Sequence, residues 1–223
     1  MTGRRMTDSW RTRLAAGAAV AGLAAAVAGC GSDSSGSGGH ALDVSGLMKL
    51  ADGVHAKPTT TCPVRYDIAA AAKAAGISGK AAPTTGTDAV VADTQAGADS
   101  DSVLVTSNGA ILTCTYQVGT ETVAVATVAT HKEGAALPMM LPLIQRDASM
   151  ASSAARTFFD SAHKADVGTA TSTPSGNVAV VRLKAKDSGD VELTVTAGQD
   201  GHSSLDAAAV RHLAEQLAAQ ADW

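Results

Sequence analysis

From residue 111 to residue 118 the chain alternates apolar and polar side chains with a period of two. Leu112, Cys114, Tyr116 and Val118 fall on one side; Thr113, Thr115 and Gln117 fall on the other. A strand with one buried face has this pattern, and it places Cys114 on the core side. Asn108-Gly109 lies between the apolar run 103–106 and this strand, which predicts a tight type I′ hairpin. In that hairpin Val105 is opposite Leu112, and Val103 is opposite Cys114. Gly119-Thr120 then turns the chain into a third strand, Glu121–Thr130. Two more strands are expected near 177–185 and 190–197, around the turn Lys186-Asp187-Ser188-Gly189. Their inner faces are Ala179, Val181 and Leu183, and Val191, Leu193 and Val195.

Helical spacing surrounds these strands. A short helix is expected over 44–54, with Ser45 as its cap. Asp67 is placed to cap an Ala-rich helix running to Ala75, with Gly76 as its left-handed terminator and Ile77 folding back on the last turn. Residues 79–101 are rich in Gly, Thr, Asp and Pro and read as a long loop, interrupted by a strand at Ala89-Val90-Val91. Met140, Ile144, Ala151, Ala155, Phe158 and Ala162 recur at three- to four-residue steps, so 138–164 reads as the longest helix. The run 168–176 reads as a loop. Ser203 or Ser204 starts a last helix carrying Leu205, Ala209, Leu213 and Leu217. The order is helix, three-strand meander, helix, hairpin, helix. It predicts an α+β fold: a single antiparallel sheet with helices packed on one face. The helix–strand–strand unit occurs twice, without sequence identity between its copies.

The first thirty residues are of another kind. Arg4, Arg5, Arg11 and Arg13 form a basic start, 14–28 is an uncharged Ala/Gly/Val/Leu stretch, and Val27-Ala28-Gly29-Cys30 closes it. This is the order of a secretory signal. The apolar stretch is too short and too weakly apolar for a membrane-spanning helix, which needs about 20 residues. Its last four residues resemble the lipobox of bacterial lipoproteins. That resemblance implies cleavage between Gly29 and Cys30, a diacylglyceryl group on the Cys30 thiol, and usually acylation of the new N-terminus. Two or more acyl chains hold a protein stably at a membrane. Arg4-Arg5 also raises twin-arginine export, although Met6-Thr7-Asp8 stands where that signal wants an apolar pair, and both routes stay open. Residues 31–39, Gly and Ser with one Asp, are a flexible tether. The expected organisation is a signal peptide over 1–29, a lipidated Cys and tether over 30–43, and a single α+β domain over 44–223.

With Cys30 taken by lipid, Cys62 and Cys114 remain. Outside the cell they are expected to form a disulfide, since no Cys-x-x-Cys occurs and no His stands close to either. The layout as a whole runs from lipobox and tether through Cys62-Pro63, the Ala-rich helix ending at Gly76 and a strand around Cys114-Thr115-Tyr116 to a late strand pair and a closing Ala/Leu helix. It resembles the two-cysteine secreted lipoproteins of unknown function common in actinobacteria. That resemblance implies a non-catalytic protein.

The catalytic and ligand signals are thin. The formal net charge is -4, which argues against nucleic acid as a partner, since a basic footprint is missing. The stretch 74–80 echoes a nucleotide loop but follows a helix and ends at Ala81 instead of Ser or Thr. Ser161-Ala162-His163-Lys164 spells Ser-x-x-Lys without its companion motifs. The six His are scattered, the paired acids Asp99 and Asp101 lie in polar sequence, and only 3% of residues are aromatic. No cofactor or metal is therefore expected, and no catalytic residue. The expected function is a non-catalytic binding or interaction module on the outer face of the cytoplasmic membrane, held there by lipid on Cys30, with an unknown protein or small molecule as partner. One alternative is a carrier of a lipid or small apolar ligand, raised by the cluster Met139, Met140, Leu141, Leu143 and Ile144. A secreted hydrolase is the other.

Overall fold

The computed structural model describes residues 43–57, 59, 61–91, 106–186 and 188–221. Cys30, the signal peptide and the tether lie outside them. The chain runs α1 (Val44–Ala56), α2 (Ile68–Ala74), β1 (Ala81–Val91), β2 (Gly109–Val118), β3 (Glu121–Thr130), α3 (Ala136–Asp147), α4 (Ser152–Lys164), β4 (Ala170–Ser172), β5 (Val178–Leu183), β6 (Asp190–Ala197) and α5 (Ala207–Gln220). The strands form one six-stranded sheet in the order β1-β2-β3-β6-β5-β4, antiparallel at every step. The α+β class and the single antiparallel sheet are as expected. Two three-strand meanders, β1–β3 and β4–β6, meet at β3 and β6.

Alternation along the strands decides the two faces. Leu112, Cys114, Tyr116 and Val118 are buried with Val123, Val125, Ala179, Val181, Val191, Leu193 and Val195 in one core. The inner faces predicted for β2, β5 and β6 are all present in it. Three helices close this core. α1 contributes Val44, Leu47, Ala51 and Val54, at helical spacing. α2 contributes Ile68, Ala71 and Ala72, and α5 contributes Val210, Leu213, Ala214, Leu217 and Ala218. Asp67 caps α2 through the Ala70 amide at 2.9 Å. Gly76 adopts a φ of 75°, and the Ile77 amide reaches back to the Ala72 carbonyl at 2.9 Å, as a glycine terminator requires. The main chain of Asp67 and the side-chain amide of Gln220 exchange two hydrogen bonds, tying the start of α2 to the end of α5.

The expectation of helices on one face needs correction. α3 and α4 pack on the opposite face, where Leu137, Met140, Ile144, Phe158 and Ala162 form a second core with Ala126, Val128, Val178 and Val180. The single helix expected over 138–164 is two helices, broken at Ala148–Ala151. Ser149 is left-handed there, with a φ of 49°, and Ala151 is exposed. The break lets α3 lie over β3 and β6 while α4 lies over β4 and β5.

Other boundaries move for local reasons. Most of the loop expected over 79–101 is strand: β1 spans Ala81–Val91 and includes the predicted Ala89-Val90-Val91. Its edge position needs only one ladder, so weakly apolar sequence suffices. β1 takes the partnership expected for 103–106, with Ala89 opposite Leu112 and Thr87 opposite Cys114; residues 103–105 lie outside the described residues. The loop expected over 168–176 contains the short edge strand β4. α1 is capped by Asp43, which accepts the Ser45 amide at 3.0 Å, and not by Ser45. α5 begins after Asp206, which accepts the Ala209 amide at 2.7 Å, and not at Ser203 or Ser204.

Cys62 and Cys114 form the expected disulfide, with Cα atoms 5.5 Å apart. It ties the segment before α2 to the middle of β2. The sequence separation is 52 residues, for which loop-closure entropy gives a stabilisation of about 4 kcal/mol. Replacing both residues by alanine is expected to lower the unfolding free energy by about that amount in urea titrations. Alkylation of the wild-type protein without reductant should leave both thiols unmodified.

Candidate functional site

The second sheet face is only partly covered. Beyond the end of α3 the strands carry small hydroxyl and methyl side chains. Thr115, Ala124 and Thr196 are register partners in one row across β2, β3 and β6. They floor an open cleft of about 830 Å³. Arg146 and Asp147 form one wall, and the loop from Gly198 to Ser204 forms the other. Thr115 was legible in the sequence as part of the polar side of β2. The loop was not, because its role depends on contacts far along the chain.

Those contacts hold the loop firmly. Gly198 has a φ of 71°, and a Cβ there would collide with the His202 carbonyl oxygen. Its amide donates to the Thr122 carbonyl at 3.0 Å, which stitches the loop to β3. The amides of Gln199 and His202 each donate to the other's carbonyl, at 3.1 and 2.9 Å, around Asp200 and Gly201, both left-handed. The Gly201 amide donates to the Asp147 carbonyl at 2.8 Å, and the Asn177 side-chain amide donates to the same oxygen at 3.0 Å. The end of α3 and the loop are thereby fixed against each other.

Glu121 closes the cleft at its far end. Its Oε2 accepts the Ser204 amide at 2.5 Å, the Ser204 hydroxyl at 2.7 Å and the Ser203 hydroxyl at 3.3 Å. Burial alone would push this carboxyl up, but these donors and the Thr122 amide hold it below the usual glutamate range. The serines that sequence reading offered as helix starters are thus the ligands of a carboxylate.

Chemically, the cleft presents hydroxyls, one imidazole at His202, the carboxylates of Asp147 and Asp200, and the guanidinium of Arg146. Arg146 pairs with Asp147 at 2.8 Å and is itself well exposed. Among the described residues no hydrogen bond joins a hydroxyl to a histidine ring, and no group of three or more His, Cys, Asp or Glu side chains could hold a metal ion. The other sequence signals do not converge here. The Ser161 hydroxyl donates to the Thr157 carbonyl within α4 at 2.9 Å, and Lys164 ends that helix in solvent. His163 stacks on Phe159 with ring centroids 5.9 Å apart. Gly76 and Lys80 flank the exposed turn after α2, and Asp99 and Asp101 lie outside the described residues. Gly29 and Cys30, the cleavage and lipidation positions, are also outside them. No described helix is long and apolar enough to cross a membrane.

Since the folded Glu121 pKa is depressed, its contribution to holding the loop is complete above the ordinary carboxylate range and is lost as pH falls through the folded value. Amide exchange at Ser204, corrected for intrinsic chemistry, should therefore accelerate as the pH falls below the ordinary carboxylate range. Glu121→Gln should give fast exchange with no such acid step.

Comparison with models of known protein families, with curated proteins and with solved structures finds no match to this chain.

Proposed function

We propose that this protein is a membrane-anchored extracytoplasmic lipoprotein whose folded body is a non-catalytic binding module, and that the cleft over Thr115, Ala124 and Thr196 is where it holds its ligand. One observation carries the assignment to the cleft. A row of small side chains leaves the sheet accessible there, while the Glu121 clasp and the Asp147 carbonyl fix the surrounding loop in advance of any ligand. Preformed concavity with a few placed polar groups suits recognition. The balance of carboxylates over cations favours a small polar ligand, or a partner's loop, bearing hydroxyls or an amine. The Ser203 and Ser204 hydroxyls donate to Glu121, a carboxylate held below its ordinary range and so a weak base, and neither bonds a histidine ring, which favours binding over hydrolysis.

The anchoring part of the proposal draws on the lipobox residues ending at Cys30, and the Cys62–Cys114 disulfide supports an oxidising compartment. The apolar cluster that raised the carrier alternative is largely engaged elsewhere. Met140 and Ile144 are fully buried under α3, and Met139, Leu141 and Leu143 pack around them.

Metabolic labelling with a fatty-acid probe should mark the wild type and not Cys30→Ala, and the variant should be released or left uncleaved; an unlabelled wild type would sink the anchor. For the cleft, NMR titration with small sugars and amines should shift amides near 115, 124, 196 and 198–204. Ala124→Phe, which fills the floor, should abolish those shifts. Reproducible ester or peptide turnover that disappears in Ser203→Ala or His202→Ala would instead establish the hydrolase reading.

A further inference from the structure

The covered half of the second face holds a buried acid outside the cleft, Glu192. Asp190, Glu192 and Thr194 share this face of β6. The Asp190 carboxylate accepts the Ala136 amide at 3.0 Å and so holds the first turn of α3. Opposite Glu192 in β5 stands Arg182. Its Nη1 donates to the His163 carbonyl at 3.1 Å and the Ala165 carbonyl at 3.3 Å, holding the last turn of α4. Glu192 lies between these two clasps. It is 2% exposed, it stands beside Val128 of the second core, and its Oε2 makes no hydrogen bond. The Thr194 hydroxyl, next along the same face, is also buried without a partner.

The layer above supplies no compensating charge. α3 turns Leu137, Met140 and Ile144 inward, and α4 turns Ala155, Phe158 and Ala162 inward. The charged groups of these helices are at the far end of α3 (Arg146, Asp147) or exposed along α4 (Arg156, Asp160, His163, Lys164). His131, Lys132 and Glu133, just before α3, are exposed too. Only Asp190 and Arg182 act on Glu192 at short range, with opposite signs.

We propose that Glu192 is a proton-operated latch for the α3–α4 layer. With its proton on, the carboxyl is a neutral group that the apolar cluster tolerates. When the proton leaves to solvent, a charge remains beneath two helices, and the layer parts from the sheet to admit water to it. Burial first, and the neighbouring Asp190 second, against the opposing pull of Arg182, push the acid up to about 8. The sign follows. The closed layer holds the proton more tightly than an opened one, so closure is most stable below the ordinary carboxylate range. It weakens as pH rises from there to about 8 and is level above that.

Hydrogen–deuterium exchange on the full-length protein at pH 6 and pH 9, corrected for intrinsic rates, tests this. Opening of α3 and α4 should rise on the order of tens-fold between the two pH values, while α5, on the other face, changes far less. Glu192→Gln should remove the rise, and Glu192→Leu, a second neutral replacement, should do the same if the first is not recovered folded. Equal wild-type protection at both pH values, the same rise in the neutral variants, or a rise in α5 as large as in α3 and α4 would each overturn the latch.

Discussion

The antiparallel ladder between β3 and β6 is the joint on which the rest of the molecule depends. It is where the meander β1–β3 pairs with the meander β4–β6. Along it Val123, Val125 and Ala129 share a face with Ala197, Val195 and Val191, while Ala124, Ala126 and Val128 share the other with Thr196, Thr194 and Glu192. A slip of one residue would turn Glu192 and Thr194 into the core beneath α1 and α5 and expose Leu193 and Val195 to the cleft side. The chemistry of β6, apolar and polar at alternate positions, therefore fixes the register. That register in turn fixes which face is sealed and which carries the cleft.

The two faces solve different problems. The first is sealed by Ala-rich helices, whose small side chains let α2 and α5 approach the sheet closely, and it is held further by the disulfide. Its buried polar groups are few. The Tyr66 hydroxyl, pushed up by burial, bonds Thr127 at 3.0 Å, and the Tyr116 hydroxyl, pushed up to about 12 by burial, has no bond. The second face is mixed. An apolar layer needs a matching apolar surface, which Ala126, Val128, Val178 and Val180 provide. Thr115, Thr122 and Thr196 provide none, so coverage stops and a cleft remains.

Periodicity made the first core legible from sequence. The alternation in β2, the inner faces of β5 and β6, the Asp67 cap and the Gly76 terminator are local patterns with local causes, and each is found in place. What escaped sequence reading depends on long-range pairing. β1 and β4 are edge strands, defined by a neighbour and not by their own apolar content. The break between α3 and α4 sits in a stretch whose helical spacing continues through it, and only the need to cover separate strand pairs shows why it is there. For the cleft, the polar side of β2 was visible. The binding of Ser203 and Ser204 to Glu121, across more than eighty residues, left no local trace. Glu192 sits at a position that strict alternation assigns to the non-core side of β6, so the existence of a second core turns an ordinary surface acid into a buried one.

The burial of Glu192 constrains how the second layer can be built. An ionised carboxylate beneath apolar helices costs several kcal/mol unless it is paired, which is a large fraction of the roughly 5–15 kcal/mol available to a domain. A covering layer fused rigidly to the sheet would carry that penalty in full. Besides their apolar packing, the polar attachments of α3 and α4 are confined to their ends: Asp190 at the start of α3, Asn177 and Gly201 at its close, and Arg182 at the end of α4. End-fastened helices can yield locally while the β3–β6 ladder and the disulfide-braced face keep the fold intact. The Asp147 carbonyl is one of those fastenings and also accepts the Gly201 amide of the loop beside the cleft, so the covering layer and the cleft wall share a hydrogen-bonded joint.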